Sequence, residues 1–282
     1  MVILDGKALA NKIKAQTKIE IDQLKSKGII PGLAVILVGN NPASQVYVNM
    51  KTKACEEVGI YSINHRMPEE VNEKDLLYVI DMLNKNPLVN AILVQLPLPS
   101  KINEEKVIEA IDPKKDVDGF HPYNMGKLLR GQPFIFPCTP YGIMKLFEEY
   151  KIELKAKDVC VIGAGNITGK PMSYMLLNEN ATVQICHIYT KNLKEKTKTA
   201  DIIISATGKA HLIKADMVKE GAIVVDVGIA KVNDKIVGDV DFENVSKIAS
   251  YITPVPGGVG PMTIAMLISN TVFLSKQQNN II

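Results

Sequence analysis

Hydrophobic runs alternate with helical stretches along the first hundred residues of the chain. Continuous apolar runs at 33–39 and 91–97 are typical of parallel strands buried on both faces. Residues 60–67 favour a further strand, and helices are predicted at about 6–27, 41–59 and 75–85. This alternation predicts a parallel sheet with right-handed crossovers, in which ligands bind at the carboxyl ends of the strands.

The helix predicted at 41–59 carries the first candidate chemistry. An asparagine followed by proline marks its start, and a glycine marks its end. Ser44, Tyr47 and Lys51 lie three and four residues apart, so their side chains share one face. A hydroxyl, a phenol and an amine on one stripe can form a hydrogen-bonded relay for acid–base chemistry. An amphipathic helix with an exposed polar face is the alternative interpretation.

Two further polar features fall where strands or helices of this region end. Gln95 lies near the end of the apolar run at 91–97, and Asp116 and Asp118 occur in the string KDVDGFHP. A satisfied structural amide and an ordinary turn are the alternative interpretations of these two features. If they are functional, they belong at the same edge of the sheet as Lys51.

The second half of the chain repeats the alternation around a glycine-rich loop. Residues 158–187 predict strand, loop, helix and strand, and the loop carries Gly163, Gly165 and Gly169. Such glycines permit a tight turn and the approach of a pyrophosphate to a helix N-terminus, so the loop predicts a dinucleotide site. A purely structural turn is the alternative. Strands predicted at 201–208 and 222–229 also end in glycine-containing loops, with Ile229 at the end of the second.

Two proline-rich segments punctuate the chain. The segment at 133–140 predicts a connection between domains, followed by a helix at about 141–150. The segment at 251–263 contains PVPGGVGP and predicts an extended loop with little side-chain bulk before a final helix at about 263–274.

Composition narrows the function classes. The chain has 282 residues, which suggests about two domains, and it is 46% hydrophobic and 22% charged. The net charge is only +3 and the basic residues are dispersed, so nucleic acid and membrane are not expected partners. The four cysteines form no metal-ligand pattern, and charge interrupts the N-terminus too early for a secretory signal. We therefore expect reduced thiols, no bound metal and a cytoplasmic location.

Five motifs, taken in order, resemble one family. They are the Ser44, Tyr47 and Lys51 spacing, VQLPLP at 94–99, KDVDGF at 115–120, PCTP at 137–140 and PVPGGVGP at 254–261. Together they resemble the bifunctional methylenetetrahydrofolate dehydrogenase/methenyltetrahydrofolate cyclohydrolase family of bacterial type, and the resemblance runs essentially from end to end.

The resemblance implies a two-domain α/β fold with a cleft between the domains. Residues 1–139, completed by the C-terminal helix at 262–282, would form the folate-side catalytic domain. Residues 140–261 would form a Rossmann-like NAD(P)-binding domain, and the protein would be a homodimer. The implied reactions oxidise 5,10-methylenetetrahydrofolate with NADP+ and hydrolyse the methenyl product to 10-formyltetrahydrofolate, in one-carbon metabolism and purine biosynthesis.

The resemblance also assigns roles to individual residues. Lys51 would be the catalytic amine and Gln95 its hydrogen-bond partner, while the Tyr47 ring would pack on the folate and Asp118 would anchor the pterin. The other substrate-binding residues implied are Ser44, Pro256, Gly257 and Gly258. The cofactor-binding residues implied are Gly163, Ala164, Gly165, His187 and Ile229.

The cofactor region departs from the family pattern. Many members carry Arg-Ser where this chain has Ala164 and Gly165, and a serine followed by a basic residue in place of Ile188 and Tyr189. Those side chains would bind the 2′-phosphate of NADP. The second strand nevertheless lacks the acidic residue that binds a free ribose hydroxyl. We expect NADP, with His187 and Lys191 as phosphate partners, and NAD as the other possibility.

Two other function classes fit part of the sequence. A short-chain-type carbonyl reductase also carries a Tyr-x-x-x-Lys pair, but its glycine loop comes before that pair and not after it. A catalytically silent nucleotide-binding regulator is the second, and the joint presence of Lys51, Gln95 and Asp118 argues against it.

Overall fold

The computed structural model describes residues 1–282 as alternating strands and helices. The strands are β1 (Val2–Ile3), β2 (Gly32–Val38), β3 (Tyr61–Met67), β4 (Ala91–Val94), β5 (Asp158–Ile162), β6 (Thr182–Cys186), β7 (Ile202–Ser205), β8 (Ile223–Asp226), β9 (Ala230–Val232), β10 (Lys235–Val237) and β11 (Tyr251–Ile252). The helices are α1 (Gly6–Ser26), α2 (Pro42–Val58), α3 (Glu73–Lys85), α4 (Glu104–Ala110), α5 (Pro122–Leu129), α6 (Cys138–Glu149), α7 (Gly169–Asn178), α8 (Leu193–Thr199), α9 (Phe242–Val245) and α10 (Val259–Gln278). A 3-10 turn lies at Ala215–Met217. No helix has the length and apolar character needed to cross a membrane.

The chain divides into two compact units, which we name by their sheets. The three-stranded unit contains Asn11–Lys127, Pro133–Cys138 and Ile264–Ile282. The six-stranded unit contains Met1–Ala10, Leu128–Gln132 and Thr139–Thr263. The expected domains place residues 1–139 together, whereas the first ten residues here belong to the six-stranded unit. The reason is that β1 pairs in parallel with β11.

The three-stranded unit is organised around β2. This strand lies between β3 and β4, with all pairings parallel, and all seven of its residues are buried. As predicted, the continuous apolar run at 33–39 reflects a parallel strand that is buried on both faces. Helices α3 and α4 cover this sheet with a buried apolar cluster that includes Ile36, Leu76, Ile80, Ile92 and Val107.

The six-stranded unit contains an all-parallel sheet with strand order β1-β11-β8-β7-β5-β6. The chain runs outward from β5 to β6 and then crosses to the other side of β5 to form β7. The order therefore reverses between β5 and β7, which is the position where doubly wound sheets bind ligands. Strands β9 and β10 form a separate antiparallel hairpin.

Two predicted boundaries need correction. Strand β4 ends at Val94 and not at residue 97: the Gln95 amide still donates to the Ile36 carbonyl of β2 at 2.8 Å, and Pro97 has no amide to continue the ladder. The segment predicted as an extended loop at 251–263 contains β11 and the first turn of α10, which begins at Val259. Pro261 is tolerated there because amides in the first turn of a helix need no intrahelical partner.

Candidate active site

Helix α2 has the predicted ends. The Asn41 side chain accepts a hydrogen bond from the Ser44 amide at 3.1 Å, and Pro42 is the first helical residue. Gly59 ends the helix in the left-handed conformation, with φ of 88°, where glycine is favoured. The buried residues of α2 include Ser44 and Lys51, so the polar stripe predicted from spacing faces inward and not toward solvent.

Lys51 and Gln95 are brought together by two different elements. Lys51, on α2, is only 9% exposed, and its Nζ donates to Gln95 Oε1 at 3.0 Å. Gln95 follows β4, and its Nε2 donates to the carbonyl of Leu96 at 2.7 Å. That second bond fixes the side-chain amide with its oxygen toward the lysine, so Gln95 accepts a hydrogen bond from Lys51 and orients the amine.

The two aspartates of the DVDG motif have different surroundings. Asp116 is buried and organises its own loop, because its carboxylate accepts from the amides of Gly119 at 3.0 Å, Phe120 at 3.3 Å and His121 at 2.9 Å. The Asn124 side chain donates a fourth bond at 2.9 Å. These four hydrogen bonds make Asp116 a structural carboxylate. For this residue, the interpretation of the DVDG motif as an ordinary turn is the correct one.

Asp118 is half-buried and directed toward Lys51 and Cys138. Burial raises the pKa of the Asp118 carboxyl, while the positive charge of Lys51 and a hydrogen bond from Cys138 act in the opposite direction. Residues 115–117 lie alongside β4, with Ile92 donating to the Lys115 carbonyl at 2.7 Å. The chain therefore delivers Asp118 at the same sheet edge as Gln95.

Two residues that support Asp118 were not among the predicted site residues. Asn270 of α10 is buried and donates to the carbonyls of Val117 and Phe136, both at 2.9 Å. Its side chain also lies 3.5 Å from Cys138 Sγ. Cys138 lies in the PCTP motif, so the sequence pointed to its segment. Asn270 lies within an apolar helix, and nothing in the sequence linked it to this site.

Tyr47 completes the α2 stripe. Its side chain is half-buried, and burial raises the pKa of the phenol, which therefore stays protonated at neutral pH. Cys55 lies one turn after Lys51, and burial raises the pKa of its thiol to about 12. No thiolate nucleophile is therefore available beside the lysine.

The glycine loop of the six-stranded unit contains glycines with two different roles. A Cβ on Gly163, which has φ of 103°, would lie 2.3 Å from the Ala206 carbonyl oxygen. A Cβ on Gly169 would lie 1.7 Å from the Gly163 carbonyl oxygen. Both positions require glycine for the packing of the loop itself. Gly165 is exposed, and no atom lies within 4 Å of the position of its Cβ.

The open side of this loop suits a diphosphate. Helix α7 begins directly after the loop, and its capping residue Thr168 makes no side-chain hydrogen bond to the first turn. In the first turn of α7 the Lys170 amide donates to the Gly165 carbonyl at 3.1 Å and Pro171 has no amide hydrogen, so the Gly169 amide and the helix dipole are what this end offers a phosphate. The space at Gly165 allows close approach. Ala164 lies between Gly163 and Gly165. The residues present therefore fit the NAD(P) that the sequence predicts.

The end of β6 is a compact turn with exposed side chains. The His187 amide donates to Thr190 Oγ1 at 2.8 Å, and the Tyr189 amide donates to His187 Nδ1 at 3.2 Å. Ile188 and Tyr189 are 91% and 86% exposed, and Lys191 is exposed as well. Ile229, which follows β8 in the same unit, is 47% exposed.

The remaining predicted substrate residues, Pro256, Gly257 and Gly258, also lie in the six-stranded unit. They follow the cis Val255–Pro256 bond and turn sharply, with φ of 111° at Gly257. The Gly257 carbonyl accepts from the Lys7 amide at 2.9 Å, and a Cβ on Gly6 would lie 1.8 Å from the Gly258 carbonyl oxygen. This loop is therefore held against the start of α1.

Comparison with known proteins decides the family. Residues 4–118 match the model of the tetrahydrofolate dehydrogenase/cyclohydrolase catalytic domain, and residues 137–279 match the model of the NAD(P)-binding domain of the same family. The chain belongs to the tetrahydrofolate dehydrogenase/cyclohydrolase family. The bifunctional protein FolD of Nautilia profundicola is 62% identical over 277 residues, which are 98% of each chain.

Solved structures of family members agree with the fold. The bifunctional enzyme FolD of Campylobacter jejuni is 57% identical, with a TM-score of 0.97 over 98% of this chain and 99% of that one. The Trypanosoma brucei dehydrogenase-cyclohydrolase, solved with NADP and an inhibitor, is 37% identical, with a TM-score of 0.96 over 98% of each chain. These comparisons confirm the family resemblance and the two-domain α/β fold class. They support neither a short-chain-type carbonyl reductase nor a silent regulator.

Proposed function

We propose that this family member oxidises 5,10-methylenetetrahydrofolate to the methenyl cation with NADP+ and hydrolyses that cation to 10-formyltetrahydrofolate. The observation that carries the proposal is the buried Lys51, hydrogen-bonded to Gln95 at 3.0 Å and charge-coupled to Asp118. This group offers an amine, an orienting amide and a carboxylate at one edge of a parallel sheet. No metal is needed for either reaction.

Asp118 is proposed to hold the substrate. A pterin presents adjacent N–H donors, and a carboxylate can accept two of them in charge-assisted hydrogen bonds. Asp116 supports this role, because it fixes the loop and leaves Asp118 as the aspartate that faces Lys51. The half-buried ring of Tyr47 offers an aromatic face for the flat substrate.

Lys51 is proposed to act in the hydrolytic step. Water must lose a proton as its oxygen attacks the methenyl carbon, and a positioned amine can accept that proton. The amine accepts this proton in its neutral form. Gln95 keeps the amine in place through the bond to Nζ. Proton return during ring opening can use the same group.

The glycine loop is proposed to hold the dinucleotide, through the space at Gly165 and the Gly169 amide at the positive end of the α7 dipole. When bound, NADP+ accepts the hydride that leaves the methylene carbon. The two nitrogens that flank this carbon stabilise the resulting cation, so this step requires no protein base. His187 and Lys191 are the proposed partners of the 2′-phosphate.

A direct assay tests the proposal. Purified protein, methylenetetrahydrofolate and NADP+ should yield NADPH together with methenyl absorbance that then decays to the formyl product. Parallel reactions with NAD+ and with an aldehyde substrate test cofactor choice and the carbonyl reductase alternative. Absence of folate-dependent NADPH formation in folded protein would refute the proposed function.

We also propose that the protein is a homodimer in the cytoplasm. Strand β3 is an edge strand with partly exposed side chains, and the neighbouring helix α2 exposes Val46 and Met50. An open strand edge beside apolar surface favours self-association. All four cysteines are free and buried, which fits a reducing compartment. Light scattering after size-exclusion chromatography should give twice the chain mass.

A further inference from the structure

A buried carboxylate ties the end of β7 to the hairpin that follows β8. Asp239 is 0% exposed, and its Oδ2 accepts three hydrogen bonds. The donors are Ser205 Oγ at 2.7 Å, the Thr207 amide at 2.7 Å and Thr207 Oγ1 at 2.8 Å. Its Oδ1 has no partner. The side chain therefore bonds the last residue of β7 and the second residue after that strand.

A second buried carboxylate holds the backbone of Asp239. Asp226, the last residue of β8, accepts from the amides of Gly228, Asp239 and Val240, each at 2.9 Å. Burial raises the pKa of Asp226 to about 6, and these three amide bonds act against that rise. The position of the Asp239 carboxylate is thus set by the end of a neighbouring strand.

The residues that Asp239 holds stand at the point where the strand order of the sheet reverses. Ala206 donates to the Ile162 carbonyl at 2.8 Å, and its own carbonyl oxygen is the atom that a Cβ on Gly163 would meet at 2.3 Å. The segment 205–207 therefore packs directly against the first glycine of the dinucleotide loop. Doubly wound sheets bind dinucleotides in the crevice outside this reversal point.

We propose that Asp239 is a positioning residue for dinucleotide binding, which holds segment 205–207 in the shape that forms one wall of the crevice beside Gly163. The inference rests on the proposed use of NADP. Asp239 is buried beneath the segment, so it acts through Ser205, Thr207 and the backbone. Hydrolysis of supplied methenyl substrate uses the Lys51 group in the other unit and needs no dinucleotide.

Replacement of Asp239 by alanine removes the acceptor for all three donors. We expect the KM for NADP+ and the Kd for NADPH to rise by about tenfold or more, because three hydrogen bonds that hold segment 205–207 are lost together. Cyclohydrolase activity on supplied methenyl substrate should stay within about twofold, because no step of that reaction uses the wall. Asp239→Asn keeps one oxygen acceptor and should recover most of the affinity.

Asp241→Asn is the matched control. Asp241 lies two residues away, and its carboxylate accepts from the Asn244 side chain at 3.0 Å and not from the strand ends. Its NADP+ kinetics should match the parent. If Asp239→Ala does not fold, Ser205→Ala removes one donor, and a raised KM for NADP+ is expected there.

Three results would overturn the inference. The first is an unchanged KM for NADP+ in folded Asp239→Ala or, if that variant does not fold, in Ser205→Ala. The second is an equal loss of both activities, which would indicate a general structural role. The third is an equal defect in Asp239→Asn and Asp239→Ala. Loss of folate activity in the parent protein would instead refute the proposed function, so the two failures are distinguishable.

Discussion

The candidate sites of the two units are built from different parts of the chain. In the three-stranded unit, Lys51, Gln95 and Asp118 come from a helix, a strand end and a loop, and specific side-chain contacts hold them. In the six-stranded unit, the candidate site is mostly backbone, because the glycine loop offers amides and open space. We therefore propose that the first region selects its ligand by functional groups and the second by shape.

This difference determines which substitutions are informative. A side-chain site can be dissected by isosteric changes that remove a charge or a proton acceptor. A backbone site responds mainly to added bulk, and the bulk must be placed where the loop itself does not need glycine. Gly165 meets that requirement, whereas Gly163 and Gly169 do not. Each prediction below tests one side of this contrast.

The largest effect is expected at Lys51. Lys51→Met should lower cyclohydrolase activity by about a hundred- to ten-thousand-fold, the usual contribution of a positioned acid–base group. Dehydrogenase activity should fall less, because hydride transfer needs no protein base. Both rates are to be measured on the same purified variant, with circular dichroism to confirm folding.

Lys53→Met is the matched control for this measurement. Lys53 lies on the same helix and is exposed, so both activities should remain at the parent level. Equal loss of the two activities in Lys51→Met would mean that the lysine mainly places the substrate. The division of labour between the two steps would then be wrong.

The next effect concerns substrate anchoring by Asp118. Asp118→Ala should reduce both activities together by about ten- to a hundred-fold, because both reactions share one folate site and a charge-assisted contact is lost. Asp116→Ala should differ, since that carboxylate accepts four hydrogen bonds within its own loop, and thermal stability should fall. Unchanged folate kinetics in Asp118→Ala would remove this residue from the site.

Much of the fold follows from local patterns, and the exceptions are nonlocal. The caps of α2 and the apolar run of β2 lie in consecutive residues, and the structure confirms both. The pairing of β1 with β11 joins two strands of two residues across almost the whole chain, and such short segments carry no period. The first ten residues were therefore expected in the other domain.

The candidate site was predictable to a similar extent. The spacing of Ser44, Tyr47 and Lys51 predicted a shared face, and parallel topology predicted that Gln95 and Asp118 would lie at the same edge. The support from Asn270 depends on α10 returning to the three-stranded unit, which spacing does not reveal. The glycine pattern likewise could not separate Gly165 from Gly163, because only packing distances distinguish an open position from a filled one.

Added bulk at Gly165 tests the shape-based region. Gly165→Val should fold, since no atom lies within 4 Å of the Cβ position. It should raise the KM for NADP+ by about tenfold or more, given overpacking costs of about 1–3 kcal/mol. Cyclohydrolase activity should persist. Gly169→Ala should instead lower stability, because its Cβ would lie 1.7 Å from the Gly163 carbonyl oxygen. NADP+ reduction at the parent rate in Gly165→Val would make the loop only a structural turn.

The smallest effect is expected at the two side chains that are proposed to bind the 2′-phosphate of NADP. His187 and Lys191 lie on or just after the exposed turn that follows β6, and exposed charge pairs contribute about 0.2–1 kcal/mol each. Replacement of both by alanine should therefore lower the NADP/NAD ratio of kcat/KM by only about fivefold, toward one. The effect should shrink in high salt, because exposed charges are screened. Lys194→Ala is the control, since Lys194 is paired with Asp216 in the same region. An unchanged ratio would show that His187 and Lys191 do not set the choice of cofactor. The six-stranded unit would then select its ligand by backbone and shape alone.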